Sequence, residues 1–271
     1  MNFSLNSNII RIILPILLTL SFSVQADSLT GRQIMDESSA RHDRDFEYEV
    51  QKMTLRTKDT VEEIRDMRRY VRKEDGAFKY LMAFDKPAGV SGVALLTWEN
   101  PKGADDQFLY LPSMGKKLKR IAEGGKRNYF MGTDFTYEDL VSESKDKFAY
   151  ERLDDTNFNG NPAYQVKATA TDKHIIKTSS YASRILTILK DSYFIVETEY
   201  FDRRNRSIKK LTSIEYGPVE GEMWRASKQV MENFKEKHFT DVDVVSRSFD
   251  DKDVPSKVFG QRYVKTGKHM R

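Results

Sequence analysis

Apolar side chains in this chain recur at every second residue, in one segment after another. Phe78, Tyr80, Met82 and Phe84 form the clearest set. Tyr164, Val166 and Ala168 alternate with Gln165, Lys167 and Thr169. Phe194, Val196, Thr198 and Tyr200 alternate with Ile195, Glu197 and Glu199, and Trp224, Ala226 and Val230 with Arg225, Ser227 and Gln229. Near the start, Phe46, Tyr48 and Val50 alternate with Glu47 and Glu49. A period of two places each set on one face of a β-strand. The phase slips after Val50, because Met53 and Leu55 continue on odd numbers. That slip predicts a bulge near Gln51 and Lys52.

Turn residues separate the strands at Asp75-Gly76, Asn100 to Gly103, Asn159 to Pro162, Asp202 to Asn205 and Gly217-Pro218, and the pattern predicts about ten strands. Helical spacing is confined to three places. One follows Ser28, where Thr30 is the expected N-cap with Gln33 at the third helical position and Leu29 and Ile34 in staple spacing. The others run from Thr136 to about Ser142 and from Pro255 to about Val264. No repeat, low-complexity run or linker divides the chain. The expected fold is mainly β: a single curved antiparallel sheet forming an incomplete barrel, with a few short helices as lid or plug. So many strands must curl or close.

Residues 1–26 read as a secretory signal. Their apolar core spans Ile12 to Leu20, with Arg11 ahead of it and Val24-Gln25-Ala26 as the cleavage site. A membrane span needs about 20 apolar residues, and this core is shorter and broken by Pro15. The mature protein, residues 27–271, is then a single periplasmic domain cleaved after Ala26. It has no cysteine, and a chain of this length needs no disulfide to bury a core. Net charge is +4, from 45 basic and 41 acidic residues, a balance that reads as ordinary solubility.

Enzyme chemistry finds little support. Residues Gly89 to Val93 lack the final glycine of a nucleophile elbow. His42, His174, His238 and His269 lie far apart in sequence without metal-ligand spacing. Gly124-Gly125-Lys126 lacks phosphate-loop spacing. No catalytic residue, cofactor or metal is expected. Nucleic acid is not expected either, because Glu62, Glu63, Asp66 and Glu74 interleave with Arg65, Arg68, Arg69, Arg72 and Lys73. The cations at Lys116, Lys117, Lys119 and Arg120 read most simply as a solvated hairpin face.

Residues 131–140 read MGTDFTYEDL. Thr136 is placed to cap a helical turn and Asp139 to complete a capping box, with Phe135 and Leu140 in staple spacing. Glu138 and Asp139 oppose the positive end of the helix dipole. Caps alone account for these polar residues.

The same block carries a family resemblance. Phe84 to Pro87 followed by Gly92 to Leu95, then Leu109-Tyr110-Leu111-Pro112, Arg120-Ile121 and Gly132 to Leu140 resemble the LolA-like outer-membrane lipoprotein-sorting proteins, in the branch associated with inner-membrane exporters of the resistance-nodulation-division type. The resemblance implies a half-barrel that carries a lipid or lipid-modified protein between the two membranes and does no chemistry. It also implies such an exporter as partner and a transient contact with a membrane or membrane protein. The alternative reading is a periplasmic lipid-sensing regulator of an envelope-stress pathway. The apolar cavity candidates are Phe78, Tyr80, Met82, Phe84, Tyr164, Val166, Phe194, Val196 and Trp224, and the lid helix comprises Phe135, Thr136, Asp139 and Leu140.

Overall fold

The computed structural model describes Met1 and residues 29–115, 117–142 and 144–271. The signal-peptide reading of residues 1–26 lies outside the described residues. The strands are β1 (Phe46–Thr57), β2 (Val61–Glu74), β3 (Ala77–Lys86), β4 (Ala94–Trp98), β5 (Asp106–Tyr110), β6 (Leu118–Arg120), β7 (Phe148–Arg152), β8 (Thr156–Phe158), β9 (Asn161–Ala170), β10 (Ser183–Leu189), β11 (Ile195–Phe201), β12 (Ser207–Glu220), β13 (Met223–Asn233) and β14 (His238–Ser248). They form one antiparallel sheet in the order β6-β5-β4-β3-β2-β1-β14-β13-β12-β11-β10-β9-β7, with β8 paired to β9. Most neighbours in the sheet are neighbours in sequence, so short hairpins build each half. The pairing of β1 with β14 joins the halves. Among the described residues, the edges β6 and β7 do not pair, so the sheet is curved and open.

Local chemistry accounts for the hairpins. Asp75 and Gly76 both have positive φ, as do Asn159 and Gly160, the two-residue turn geometry that suits the twist of the flanking strands. The phase slip expected in β1 is absent: Glu47, Glu49, Gln51, Met53 and Leu55 are all buried on one face, and where the β1–β14 register shifts beside Val50 the unpaired residue is Val245 of β14. The sheet has more strands than the alternation revealed. β6 and β8 have three residues each, too few to show a period.

Three short helices accompany the sheet: α1 (Gly31–His42), α2 (Lys173–Thr178) and α3 (Gln261–Lys265). Thr30 caps α1 in a capping box with Gln33, and Leu29 packs beside Ile34. The helix continues to His42 although its apolar face ends at Met35. Glu37 pairs with Arg41 at 2.7 Å, and the Arg41 guanidinium lies over the Tyr193 ring at 4.6 Å. Gly31 allows the close approach to β7, since a Cβ there would stand 2.6 Å from the Tyr150 carbonyl oxygen.

Helix α2 has no periodicity to betray it, but Asp172 caps it by accepting from the His174 and Ile175 N–H groups. The helix expected from Thr136 is instead one 3-10 turn, Tyr137–Leu140. The N–H groups of Tyr137 and Glu138 donate to the Asn128 and Lys126 carbonyls. The segment therefore bonds to the neighbouring loop and does not propagate a helix.

The C-terminal segment covers the convex side of β3–β5. Val258, Phe259 and Val264 pack with Leu81, Ala83, Ala94, Leu96 and Tyr110, and the Trp98 indole N–H donates to the Phe259 carbonyl at 2.9 Å. Strand β3 is therefore buried on both faces.

Candidate functional site

The concave side is filled by two separate pieces. The first is the loop containing residues 129–140. Phe130, Phe135 and Tyr137 share one cluster with Met53 and Leu55 of β1, Met67 of β2, Met82 and Phe84 of β3, Leu95 of β4 and Leu109 of β5. The cluster also takes in Val242 of β14, Met231 of β13 and Tyr200 of β11, with Leu211 of β12 against it. One cluster can join this loop to nine successive strands only if the sheet wraps around it, so this loop is an interior plug. Phe130 is fully buried; its ring stacks on Phe84 at 5.6 Å and meets Tyr137 edge-on at 5.5 Å.

Polar anchors hold the plug. The Asp139 carboxylate accepts from the Thr136 N–H at 2.6 Å and hydroxyl at 2.7 Å and from the Tyr181 hydroxyl at 2.9 Å. It also pairs with Lys209 of β12, and both side chains are 2% exposed. The Lys209 ammonium lies 5.0 Å from the Tyr181 and Tyr200 ring centres. Burial, and then the Asp139 charge, push both phenols above the usual tyrosine range.

At the other end of the plug, Asp134 accepts from the Thr240 hydroxyl and meets His238 Nδ1, both at 2.7 Å. Arg65 donates to the Met131 carbonyl at 2.8 Å. Thr136→Ala removes the bond to Asp139 and the 3.1 Å contact with Tyr181. We expect it to cost about 0.5–2 kcal/mol, read as a shift in the urea midpoint. An unchanged midpoint would show that Thr136 does not anchor the plug.

The second piece is α1. Ile34 and Met35 pack on Val166 and Ala168 of β9 and on Leu186 and Ile188 of β10. Register places these residues on the interior face, since Ala168 pairs with Arg184 and Arg184 with Tyr200. A charged belt also faces the interior: Glu47 and Glu49 of β1 with Arg69 of β2, Arg225 of β13 and Arg247 of β14. The nearby guanidiniums hold the Glu47 carboxyl below its usual range in spite of burial.

A cavity of about 490 Å³ opens where the sheet leaves its gap. Its wall includes Gln107 of β5, Glu138 and Val141 of the plug segment, Phe148 of β7, Ala168 of β9 and Tyr181. Helix α2 and the loop from Pro101 to Asp105 complete it. Lys147 donates to the carbonyls of Asn100 and Gly103, so side chains span the gap that backbone pairing leaves open. Burial raises the Glu138 carboxyl pKa and lowers that of the Lys126 ammonium. Asp105, Glu123, Lys147 and Arg184 also line the wall, so it mixes charged and apolar surface. Sites of roughly 300–1,000 Å³ suit small ligands.

The structure distributes the nine apolar candidates. Met82 and Phe84 lie against the plug. Tyr80 is buried and its hydroxyl accepts from the Ser142 N–H at 3.2 Å. Phe78 is half-buried beside it, with ring centres 6.1 Å apart. Tyr164 and Val166 come together under α1. Phe194, Val196 and Trp224 meet in another cluster with Tyr216. None of the nine lines the 490 Å³ cavity. Of the lid residues, Phe135 and Leu140 belong to the plug cluster, and Thr136 and Asp139 anchor it. Sequence reasoning missed Gln107, Tyr181 and Lys209. The one signal was Lys209, a cation two residues before Leu211 on the same strand face.

An open β half-barrel with an interior plug and an interior helix defines the class. A family model whose description reads "uncharacterized protein" matches residues 76–266. A Vibrio parahaemolyticus domain assigned to outer membrane lipoprotein sorting is 30% identical; the alignment covers 87% of this chain and 98% of that one, with a TM-score of 0.80. A DUF1329 family protein from Desulfovibrio piger (23% identity, 86% and 97% coverage, TM-score 0.78) and a LolA superfamily protein from Nitrosomonas europaea (16%, 87% and 100%, 0.68) share the fold. No curated protein matches the chain. The chain belongs to the LolA-like family.

Proposed function

We propose that this protein is a periplasmic carrier that holds a lipid, or the lipid of a lipid-modified protein, inside its half-barrel. The observation that carries this reading is the divided interior. A sheet whose only task was stability would bury one continuous core. Here a plug and a helix fill the concave side separately, buried polar anchors pin the plug, and a cavity of about 490 Å³ lies beside them. Cargo entering at the cavity would extend onto the interior apolar face as the plug yields, reaching Met82 and Phe84 first and Val166 beneath α1. Apolar burial of about 25 cal/mol per Å² retains an acyl chain without specific polar contacts, which suits a carrier that must also release.

The relative assigned to lipoprotein sorting supports movement of cargo between inner and outer membranes. An inner-membrane exporter of the resistance-nodulation-division type is the proposed donor, and export follows cleavage after Ala26. The protein acts by binding and not by catalysis. The test is solvent extraction of protein purified from the periplasm, followed by mass spectrometry. We expect bound lipid in near-stoichiometric amount. A lipid-free protein that also binds no hydrophobic probe would overturn the carrier reading.

A further inference from the structure

One edge of the sheet carries a run of basic side chains. Residues 112–127 carry six basic side chains and one acidic, a local excess of five. The whole chain has a net charge of only +4. Two other stretches are as basic, residues 203–210 and 254–271, each with five basic and no acidic side chains, but neither contributes to the cavity wall. The segment covers the hairpin tip at Pro112–Met114, the edge strand β6 and the 3-10 turn at Glu123–Gly125. Lys117, Lys119, Arg120 and Arg127 are exposed. Arg120 pairs with Asp106, whereas Lys117, Lys119 and Arg127 form no ion pair among the described residues. Met114, at the tip, is 58% exposed.

This basic edge is also a rim of the cavity, since Glu123 and Lys126 from the same segment line the cavity wall. Four to eight clustered Lys or Arg side chains are the usual means of binding anionic bilayers, each worth about 1 kcal/mol near the surface. An exposed apolar side chain among them adds a point of insertion.

We propose that the β5–β6 hairpin and the following turn form a docking surface for an anionic lipid bilayer, which brings the mouth of the cavity to the membrane. A solvated edge strand needs some charge to prevent pairing with another sheet. That need explains one or two lysines. It does not explain why Lys117, Lys119, Arg120 and Arg127 stand with an exposed methionine in the one basic stretch that also reaches the cavity wall. The inference stands on charge placement and is independent of what the cavity holds.

The test is co-sedimentation of the mature protein with two kinds of vesicle, phosphatidylcholine alone and phosphatidylcholine mixed with phosphatidylglycerol. The wild type should bind only the anionic vesicles and lose binding as salt screens the charges. The triple variant Lys117→Glu, Lys119→Glu, Arg127→Glu should lose about a hundredfold in affinity. A second triple variant, Lys58→Glu, Lys257→Glu, Lys265→Glu, changes exposed residues elsewhere and reaches the same net charge. It should stay within about twofold of the wild type if the local surface matters more than the overall field.

Equal losses in the two triple variants would overturn the proposal. So would equal binding of the wild type to both vesicles. A wild type that ignores anionic vesicles would also overturn it, and would leave an acidic protein as the occupant of this face. Circular dichroism on both variants establishes that each is folded. If the first fails to fold, the vesicle and salt comparisons on the wild type decide the matter.

Discussion

Replacing Lys209 with methionine should destabilise the protein by about 3–5 kcal/mol, the usual cost of leaving one member of a buried ion pair alone. Lys209 and Asp139 are both 2% exposed, so water cannot take the place of the missing partner. The Asp139 carboxylate keeps its bonds from Thr136 and Tyr181, yet its charge would face the Tyr181 and Tyr200 rings without a cation. Asp139→Asn combined with Lys209→Met removes both charges and should recover at least about 1 kcal/mol relative to the sum of the two single changes. Urea unfolding of the four proteins measures this. A single Lys209→Met variant within experimental error of the wild type would show that the pair does not hold the plug. Strictly additive effects would show that the two residues act separately.

Truncating the plug itself should have an effect of the same size. Phe130→Ala should cost about 3–5 kcal/mol, because Phe130 is fully buried between Phe84 and Tyr137. Its removal leaves a void among side chains from strands that cannot readily close on it. The void also joins the apolar face of β3 to the interior. Phe130→Ala should therefore bind a fluorescent hydrophobic probe more strongly than the wild type, although it is less stable. A destabilised variant with unchanged probe binding would mean that the plug is ordinary core and does not cover a binding face. In contrast, Lys209→Met should raise probe binding while leaving every apolar side chain of the plug in place.

The two predictions separate what could be read from the chain in advance from what could not. The strand faces around Met82, Val166 and Tyr200 were legible, because side-chain direction in a strand has a fixed period. So were the Thr30 cap and the turn at Asp75-Gly76, both of which depend on neighbours in sequence. The phase slip after Val50 is not a bulge of β1, because Glu47 and Glu49 lie on the buried face and not on the solvent face that their charge suggests. The signature MGTDFTYEDL was legible as a capped turn, and it is one. The sequence did not show that its two aspartates reach strands far along the chain: Asp134 to Thr240 and Asp139 to Lys209. Nor did it show that α1 would lie inside the sheet, or that Glu47 and Glu49 would face the interior against three arginines. Alternation identifies two faces of a strand without saying which is concave. Charged residues opposite aromatic ones are then assigned to solvent by default.

Local geometry was legible from the chain alone: the strands, most of their turns, the capped segments and the basic run at residues 112–127. Each of these follows from a few adjacent residues and their backbone preferences. The tertiary structure alone decided which face the sheet curls around, which segments fill it, and where the cavity lies. Curvature arises from the summed twist of fourteen strands and from the pairing of β1 with β14, and these bring together residues up to some two hundred positions apart, as in the ion pair between Glu49 and Arg247. No short-range pattern encodes that distance, so the interior could be assigned only once the chain had closed around it.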